Sequence, residues 1–439
     1  MLLVSPKTAP MLRRFLTLGV VTVSLSRVVA QTQDAPMPDL TQDAAAGDSG
    51  AVQDGTSSVG DECDVYYYEP VANALASFPN IWDQATILSE DTNALAKWAS
   101  IQPNVPDIST KGTPTGDFSN ITYSSDDPDC WWTATKCNEP KVANVPSDVA
   151  IMDEPHTLGF GFDDGPNCSH NAFYDYLKAH NQKATMFFIG SNVMDWPLET
   201  ARALNDGHEL CVHGWSHRYM TSLESTDAFA ELYYSMEAIK LVAGVTPTCW
   251  RPPFGDVDDR IRAIATGLGL RTVLWAYDSQ DWQVGSTAGF TAEQVDKEYG
   301  LMIEDASKGA FNNTGTMILM HELNEFTMNQ AMKYYPKLKD VFKHIVPVAT
   351  GLNITHPYVE DGYTMQNFAE HLASTGALLI ANGTNATMSA APSESATQIS
   401  TSPEVTNQLD NIKKTAEASG MSSNAILTFA LSLICLAMM

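Results

Sequence analysis

The sequence is poor in basic residues. Its 439 residues include 25 lysines and arginines against 52 aspartates and glutamates, so the formal net charge is −27 at pH 7. A field of this sign repels nucleic acid, and no basic stripe offsets it, so we expect no nucleic-acid partner. A neutral substrate or a cationic polymer is easier to accommodate. Acidity also serves simply to keep a secreted protein soluble.

The cysteines show no paired CxxC pattern of the kind that builds thiolate zinc sites. They are Cys63, Cys130, Cys137, Cys168, Cys211, Cys249 and Cys435. If a C-terminal segment that carries the last of them is removed, six remain, and an even number allows up to three disulfides in an oxidising compartment. The sequence does not fix the connectivity, and only the short spacing of Cys130 and Cys137 favours a particular pair.

The C-terminal apolar run is too short for an ordinary bilayer span, which needs about 20 residues. Residues 425–439 form this run, which contains no charge, and small residues lie upstream at Ala418 and Ser419. This layout is typical of a GPI attachment signal whose tail is removed, with attachment near Ala418-Ser419. A short tail anchor and a tail helix packed on the domain are the alternatives.

The N-terminus and six glycosylation sequons predict entry into the secretory pathway. Arg13 and Arg14 precede an apolar run, and small residues up to Ala30 form a cleavage site, so residues 1–30 are predicted to be a signal peptide. Its presence favours the GPI interpretation and localisation at the plasma membrane. The Asn-X-Ser/Thr sequons are at Asn120, Asn167, Asn312, Asn353, Asn382 and Asn385.

Composition divides the remaining chain into segments. Residues 31–60 are rich in Asp, Gln, Ala, Gly and Ser and are predicted to be a disordered acidic segment. Residues 61–153 lack sustained periodicity and are predicted to be an extension that packs on the main domain. That domain is assigned to 154–350 with a C-terminal part at 351–383, followed by a Ser/Thr-rich stalk at 384–424.

Short apolar runs alternate with helical segments in the main domain. This repetition predicts an α/β fold with a parallel sheet, open or closed as a barrel. In such folds functional residues collect at the C-terminal ends of the strands. The predicted strands are 157–162, 184–189, 209–212, 248–251, 271–277, 316–320 and 345–348, and the predicted helices lie near 171–180, 198–205, 227–242, 257–268, 292–308 and 328–344.

Titratable residues follow nearly every one of these predicted strands. A scaffold without chemistry has no reason to repeat this placement, although each group alone has an ordinary explanation. Asp-Asp-Gly-Pro alone is typical of a turn, and His-x-x-x-His alone arises by chance. The groups are Asp163-Asp164, His213 to His217, Arg251, Asp278 to Asp281, and His321-Glu322.

Three of these residues form a candidate metal site. His213 and His217 are four residues apart, so on a helical turn both imidazoles would face one way and could share a metal. Asp164 would add one oxygen and leave a position open for water or substrate, as in catalytic zinc sites. Zinc suits this set of two nitrogens and one oxygen, and cobalt and other divalent ions also fit.

The neighbouring residues are candidates for proton transfer. Two adjacent carboxylates repel each other unless a cation or a shared proton relieves them, so Asp163 could move protons while Asp164 binds metal. Arg251 could orient a carboxylate. Because Pro252 and Pro253 lack N–H groups, the next amide, that of Phe254, could face an oxyanion. His321 is a candidate proton donor, although a lone histidine after a buried run is more often structural.

The five groups, in this order, resemble the motifs of the polysaccharide deacetylases, carbohydrate esterase family four with its NodB-homology domain. The resemblance covers about residues 155–350. The segment Thr-Pro-Thr-Cys-Trp-Arg-Pro-Pro-Phe-Gly and the combination of signal and anchor are most similar to fungal chitin deacetylases. The resemblance implies a distorted (β/α) barrel of about seven parallel strands that removes acetyl groups from N-acetylglucosamine residues of chitin at the plasma membrane and cell wall.

The resemblance also implies a role for each matching residue. It assigns Asp163 as base, Asp164, His213 and His217 as metal ligands, Arg251 as the residue that positions the base, the Phe254 backbone as oxyanion donor, Asp281 as support for the catalytic histidine, His321 as acid, and Trp282 and Leu319 as walls of the acetyl pocket. Asp163 and Phe254 are thereby also expected to contact the substrate. The cofactor is one divalent metal ion.

Three departures from the usual motifs and two alternatives remain. Phe254 replaces a frequent Tyr, which matters little if only its backbone is used. Gly161 stands where Thr is common, and Gly214 replaces the Ser or Thr that usually braces the histidine loop, so we expect a looser metal site. The same site could act on acetylated xylan or peptidoglycan. A wall glycoprotein that binds chitin without hydrolysing it is the alternative from a different class of function.

Overall fold

Nine short strands carry the fold in residues 62–374, the part of the chain that the computed structural model describes. Every ladder between these strands is parallel, which confirms the predicted α/β class. The strands are β1 (Thr157–Gly159), β2 (Gly161–Gly165), β3 (Thr185–Phe188), β4 (Glu209–Val212), β5 (Cys249–Trp250), β6 (Arg271–Thr272), β7 (Tyr277–Asp278), β8 (Thr316–Leu319) and β9 (His344–Val346).

The strand pairings follow a circuit. One sheet has the order β2-β3-β4-β5-β6, and the other has the order β7-β8-β1-β9. A bridge between Asp163 and His321 joins β2 to the end of β8. The circuit is interrupted between β6 and β7, which are two parts of the predicted strand 271–277. Because the circuit is not closed, the predicted barrel stays a prediction. The parallel strands place their C-terminal ends on one side.

Seven buried residues form a separate cluster along the strands. Successive residues of a strand point to opposite faces, so one residue from each strand can face the same interior. Phe187, Cys211, Cys249, Val273 and Met317 come from β3, β4, β5, the residue after β6, and β8, and Met152 and Val348 complete the set. The opposite strand faces pack under the helices in the larger core.

Helices connect the strands in the predicted order. Each of the six predicted helices corresponds to an observed helix, although the last ends at Val341 and His344 begins β9. A short helix that was not predicted, α5, follows β3. The helices are α1 (Glu69–Ala74), α2 (Thr92–Ile101), α3 (Trp132–Thr135), α4 (Asn171–Ala179), α5 (Gly190–Asp195), α6 (Pro197–Asn205), α7 (Ser225–Ala243), α8 (Asp259–Leu268), α9 (Ala292–Ser307), α10 (Glu325–Val341), α11 (Val348–Gly351) and α12 (Phe368–Ser374).

Local signals in the sequence account for several helix ends. The side chain of Asn324 accepts from the amide of Thr327, and the two residues form a capping box at the start of α10. Asp258 caps α8 by accepting from the amide of Ile261 at 3.0 Å. At the other end of α8, Gly269 has φ 85°, a left-handed conformation that glycine adopts without a Cβ penalty.

The segment before residue 154 is bound to the main domain at several points. The Nζ atom of Lys111 lies 2.6 Å from Asp258, and both side chains are buried. Arg262 of α8 pairs with Asp148 at 2.7 Å and donates to the carbonyl of Cys130 at 2.6 Å. This packing agrees with the predicted extension, while the boundary at residues 153 and 154 stays a prediction.

Three disulfides join the six remaining cysteines, and they confirm the favoured pair Cys130–Cys137. Cys211–Cys249 joins β4 to β5. Cys63–Cys168 joins the extension to the segment that follows β2, across 105 residues of chain. The sequence did not fix either of these last two.

Several predictions fall outside residues 62–374. These are the signal peptide at 1–30, the acidic segment at 31–60, residues 375–383 of the predicted segment 351–383, the stalk at 384–424, the tail at 425–439, the attachment site near Ala418-Ser419, and the sequons at Asn382 and Asn385. Within the described range, no helix has the length and apolar character needed to cross a bilayer.

Four sequons lie in the described range. Asn120, Asn312 and Asn353 are exposed, as a glycan acceptor must be. Asn167 is half-buried, and its side-chain amide donates to the carbonyl of Leu323 at 2.7 Å. A glycan on Asn167 would therefore have to displace or share this hydrogen bond.

Candidate active site and metal centre

A bulge at the end of β2 presents two adjacent acids. Asp163 is in register with Phe187, and Gly165 is in register with Phe188, so Asp164 is an extra residue in the ladder. It has φ 72°, in the left-handed region. Neighbouring residues of a regular strand point to opposite faces, whereas a bulge re-aims one of them. Both carboxylates thus reach His213, whose Nε2 lies 3.7 Å from Asp163 and 3.3 Å from Asp164.

The predicted metal triad converges on one point. The Nε2 atoms of His213 and His217 lie 3.3 and 3.0 Å from the same Oδ1 atom of Asp164. The carbonyl of Arg251 accepts from Nδ1 of His213 at 2.8 Å, which leaves Nε2 of that ring to face the acid. The predicted helical turn for the two histidines was wrong. Both lie on the loop after β4.

These residues fit a divalent cation. Oδ1 of Asp164 is buried and has no hydrogen-bond partner, so the atom toward which both rings point is unsatisfied by the protein. Burial alone would raise the pKa of Asp164, but the adjacent His217 and His213 hold it well below its usual value, so the carboxylate is ionised. Two imidazole nitrogens and one carboxylate oxygen are a ligand set for zinc and similar ions.

Two other clusters of ligand-type side chains do not fit a metal. One contains Asp127 and the other Glu209, and each includes two cysteines within reach of the carboxylate. In both clusters the two cysteines are joined in a disulfide, Cys130–Cys137 and Cys211–Cys249. Because a metal ligand must be a free thiolate, the triad of Asp164, His213 and His217 is the candidate centre among residues 62–374.

Arg251 holds the first acid. Its Nη1 atom donates to Oδ1 of Asp163 at 2.6 Å, and both side chains are buried. The guanidinium lies over the ring of Phe187, 4.0 Å from the ring centroid. A buried, charge-assisted bond of this kind fixes a carboxylate, and it leaves Oδ2 of Asp163 toward His213. The arrangement matches the predicted role of Arg251, and that role itself stays a prediction.

His321 faces Asp163 from the end of β8. Its Nδ1 lies 2.6 Å from Oδ1 of the buried Asp281, and its amide donates to Oδ2 of the same residue at 3.1 Å. Burial alone would lower the pKa of His321, but the Asp281 carboxylate raises it to about 10. A histidine in this setting is a cation at neutral pH, and with Nδ1 committed to Asp281, Nε2 is the atom that can give up a proton.

We expect Asp281→Asn to lower kcat about 30-fold at pH 8. The pKa of His321 would fall from about 10 toward its ordinary value of 6.5, so only a few per cent of the enzyme would hold the acidic proton at that pH. The raised pKa also stabilises the fold below pH 6.5, and this contribution is lost as the pH rises through 10. A kcat–pH profile would show the alkaline limb moved to lower pH.

Asp296→Asn is the matched control, because Asp296 pairs with Lys333 between α9 and α10, away from His321. Its profile should follow that of the wild type. An alkaline limb that stays in place in Asp281→Asn would contradict the assignment of His321 as the acid.

Phe254 lies in a strained turn after Arg251. Its φ is 59°, and its ring stacks on Tyr219 with centroids 3.9 Å apart and planes at 4°. The amides of Gly255 and Asp256 bond to the carbonyls of the two prolines, and the Phe254 amide takes no part in these bonds. Its side chain is 43% exposed beside His217, which makes it an aromatic surface next to the metal ligands.

The predicted walls of the acetyl pocket differ in exposure. Trp282 is 38% exposed in a short turn after β7, and Leu319 is buried at the end of β8. Both stand at strand ends that contribute other site residues, since Trp282 follows Asp281 and Leu319 precedes His321 by two residues. Their contact with an acetyl group stays a prediction.

Sequence reasoning missed Glu231, which braces the histidine loop. This residue of α7 is fully buried, and its carboxylate accepts from the amides of Trp215 and Ser216, both at 2.8 Å, and from the Ser216 hydroxyl at 2.6 Å. It also accepts from the amide of Ala85 in the extension at 2.8 Å. The signal was present in the sequence, because Glu231 is an acid between apolar residues on a helix that is otherwise mostly buried.

The structure also gives a different account of Gly214. This residue has φ 74°, a conformation that any other residue would adopt with strain, and a Cβ added there would lie 3.3 Å from Pro253. Glycine therefore suits the loop, and Glu231 supplies the brace that the sequence analysis expected at position 214. The expected loosening of the metal site remains untested.

We expect Glu231→Gln to weaken metal binding by about 10- to 100-fold, the usual effect of losing an outer partner of the ligands. The amides of Trp215 and Ser216 share one carboxylate oxygen, which the glutamine oxygen can replace, but the NH2 group then faces the Ala85 amide and the Ser216 hydroxyl, so the loop loses part of its support. A competition titration against a chelating dye would measure the change. Glu237→Gln, on the same helix, should bind metal like the wild type, and equal affinities for both variants would contradict the bracing role.

The comparisons with known proteins define the class of this protein first. A family model described as polysaccharide deacetylase matches residues 152–273. The chain is 49% identical over 323 residues to chitin deacetylase 2 of Cryptococcus neoformans var. grubii, which covers 72% of this chain and 71% of that protein. The chain belongs to the polysaccharide deacetylase family, and it is a hydrolase that removes acetyl groups from carbohydrate.

Within this family, the curated relatives that match most of the chain are fungal. The chain is also 44% identical over 315 residues to chitin deacetylase of Amylomyces rouxii, which covers 70% of this chain and 74% of that protein. Among solved structures, the chitin deacetylase of Colletotrichum lindemuthianum is 20% identical, with a TM-score of 0.44, over 51% of this chain and 97% of that one. The suspected relationship to fungal chitin deacetylases is confirmed, and family membership together with the triad supports one divalent metal ion.

Proposed function

We propose that this protein hydrolyses the N-acetyl groups of N-acetylglucosamine residues in chitin and releases acetate and chitosan. Two lines of support meet. The relatives that match most of the chain at 44 to 49% identity are chitin deacetylases. The single observation that carries the chemistry is the convergence of His213 and His217 on the buried, unsatisfied Oδ1 of Asp164. The fixed acid Asp163 and the protonated His321 flank this site.

Asp164, His213 and His217 would hold the cation, with zinc the best match to the ligands and cobalt an alternative. A divalent ion in such a site polarises the acetamide carbonyl and lowers the pKa of water. Its positive charge would also offset the repulsion between Asp163 and Asp164, the like-charge cost of placing two acids side by side.

The chain's own residues move the protons. Asp163 accepts a proton from the attacking water at Oδ2, since Arg251 occupies Oδ1. The water oxygen bonds to the carbonyl carbon, and the Phe254 amide donates to the oxyanion that forms. His321 then gives its Nε2 proton to the amine as the C–N bond breaks, while Asp281 holds the opposite ring nitrogen. The products are acetate and a free amine.

Acetate release from three polymers tests the substrate. At equal acetyl concentration, N-acetylglucosamine oligomers should release acetate faster than acetylated xylan or peptidoglycan. Faster release from either of the other polymers would reassign the substrate within the family. Binding to chitin without acetate release, at every metal loading, would instead support a non-catalytic wall glycoprotein.

We also propose that a GPI anchor locates the enzyme at the plasma membrane and cell wall. The support is sequence alone, namely the signal peptide pattern at 1–30 and the uncharged tail at 425–439. Phosphatidylinositol-specific phospholipase C should release the protein from intact cells. A variant that lacks residues 425–439 should appear in the medium without that treatment, and its retention on the membrane would contradict the anchor.

A further inference from the structure

Trp82 occupies a backbone position that disfavours it. It lies in a four-residue turn of the extension, in which the amide of Asp83 donates to the carbonyl of Asn80 at 3.2 Å. Its φ is 67°, at the third turn position, where glycine or asparagine is normally found. A bulky residue in the left-handed region is a true outlier, and such strain is concentrated at functional positions. The side chain is nevertheless 41% exposed, so packing does not explain it.

Three hydrogen bonds fix this residue on α5 and on the loop that carries His213 and His217. The Trp82 amide donates to Oγ of Ser191 at 2.8 Å, and its indole Nε1 donates to Asp195 at 3.0 Å. Both partners are on α5, and Asn192 of the same helix donates to the carbonyl of Asp164 at 2.8 Å. The Trp82 carbonyl accepts from Arg218, the residue after His217, at 3.1 Å.

The surroundings suit a sugar. An indole offers a flat apolar face, and its N–H, here already bonded, sets the orientation of the ring. Polar side chains border it, since Asp195 and Arg218 bond to Trp82 itself and the exposed Asp83 is next in sequence. Sites for small polar ligands combine such an aromatic surface with a few fixed polar groups. A pyranose ring, with apolar C–H faces and hydroxyls at its edge, matches both features.

We propose that Trp82 forms a sugar-binding subsite beside the metal centre and stacks on an N-acetylglucosamine unit next to the one that reacts. The inference rests on the proposed function, because it requires a polymeric substrate that extends past the metal. It makes the segment before residue 154 a part of the active site, although the matched family region begins only at residue 152.

Trp82→Gly separates a binding role from a structural role. Glycine adopts the left-handed turn without strain, which stabilises the folded state, but it also increases the conformational entropy of the unfolded chain. Because these two effects oppose each other, Tm should stay within about 2 °C of the wild type. The KM for a hexamer should rise about tenfold, the size expected when one aromatic anchor is removed, with kcat unchanged. The KM for the N-acetylglucosamine monomer, which has no second unit to reach the subsite, should change little, and Trp82→Phe should recover most of the loss for the hexamer.

Tyr67→Ala is the control, since Tyr67 is an aromatic residue of the same extension and is 76% exposed. Its KM should equal that of the wild type. A hexamer KM for Trp82→Gly within about twofold of the wild type would overturn the subsite, as would an equal loss for monomer and hexamer. If the wild-type enzyme releases no acetate from any oligomer, the proposed function fails. This outcome differs from failure of the subsite alone, in which the wild type is active and Trp82→Gly has the same KM.

Discussion

Asp163→Asn should lower kcat for acetate release by about 10³-fold, within the range attributed to a positioned general base. The side chain keeps its shape, but an amide cannot take the proton from water. Arg251 would still find an oxygen to bond, so the loop geometry should largely persist. We therefore expect the substitution to lower kcat and to change KM little for oligomers of any length.

Two measurements separate this effect from damage to the site. Metal content should stay near one ion per chain, because Asp164 and the two histidines are unchanged. Asp175→Asn is the matched control, since Asp175 also pairs with an arginine, Arg202, at 2.5 Å but lies on α4. It should retain wild-type kcat. An Asp163→Asn enzyme that binds metal and keeps more than about a tenth of the activity would require another base.

Removal of the divalent cation should abolish acetate release, and its return should restore it. His217→Ala removes one of three ligands, and since outer partners alone account for 10- to 100-fold in affinity, a direct ligand should cost more than about 100-fold. The fold should survive, because His217 stands on a loop that Glu231 holds from the opposite side. Metal analysis together with the rate at saturating metal would measure both effects.

The control for the ligand is His356→Ala, an exposed histidine outside the triad. Its metal content and rate should match the wild type. Full activity of a preparation shown to contain no divalent metal would contradict the role given to the triad. So would a His217→Ala enzyme that binds the ion as tightly as the wild type.

Much of this site could be predicted because it depends on strand ends. Apolar runs mark the strands, parallel strands end on one side, and the titratable residues stand directly after those runs. The sequence alone therefore predicts that Asp163, Asp164, His213 and His321 lie near one another. Their spacing did not reveal the bulge at Asp164, which depends on a register shift against β3.

The parts that sequence did not predict depend on contacts between distant segments. Glu231 is 15 and 16 residues from the loop amides that it holds and 146 residues from the amide of Ala85, and Trp82 is 136 residues from Arg218. Local periodicity carries no information on such pairs. The helical turn expected for His213 and His217 was wrong for a related reason. Gly214 and His217 both adopt positive φ, and tertiary contacts hold them so.

The central claim is that a metal held by Asp164, His213 and His217 lets this chain deacetylate chitin. The most direct test measures acetate released from N-acetylglucosamine oligomers by the purified enzyme as zinc or cobalt is added back after chelation. The account predicts no release without metal, and release that rises with occupancy and saturates at one ion per chain. Release that is independent of metal occupancy, or no release at full occupancy, would contradict it.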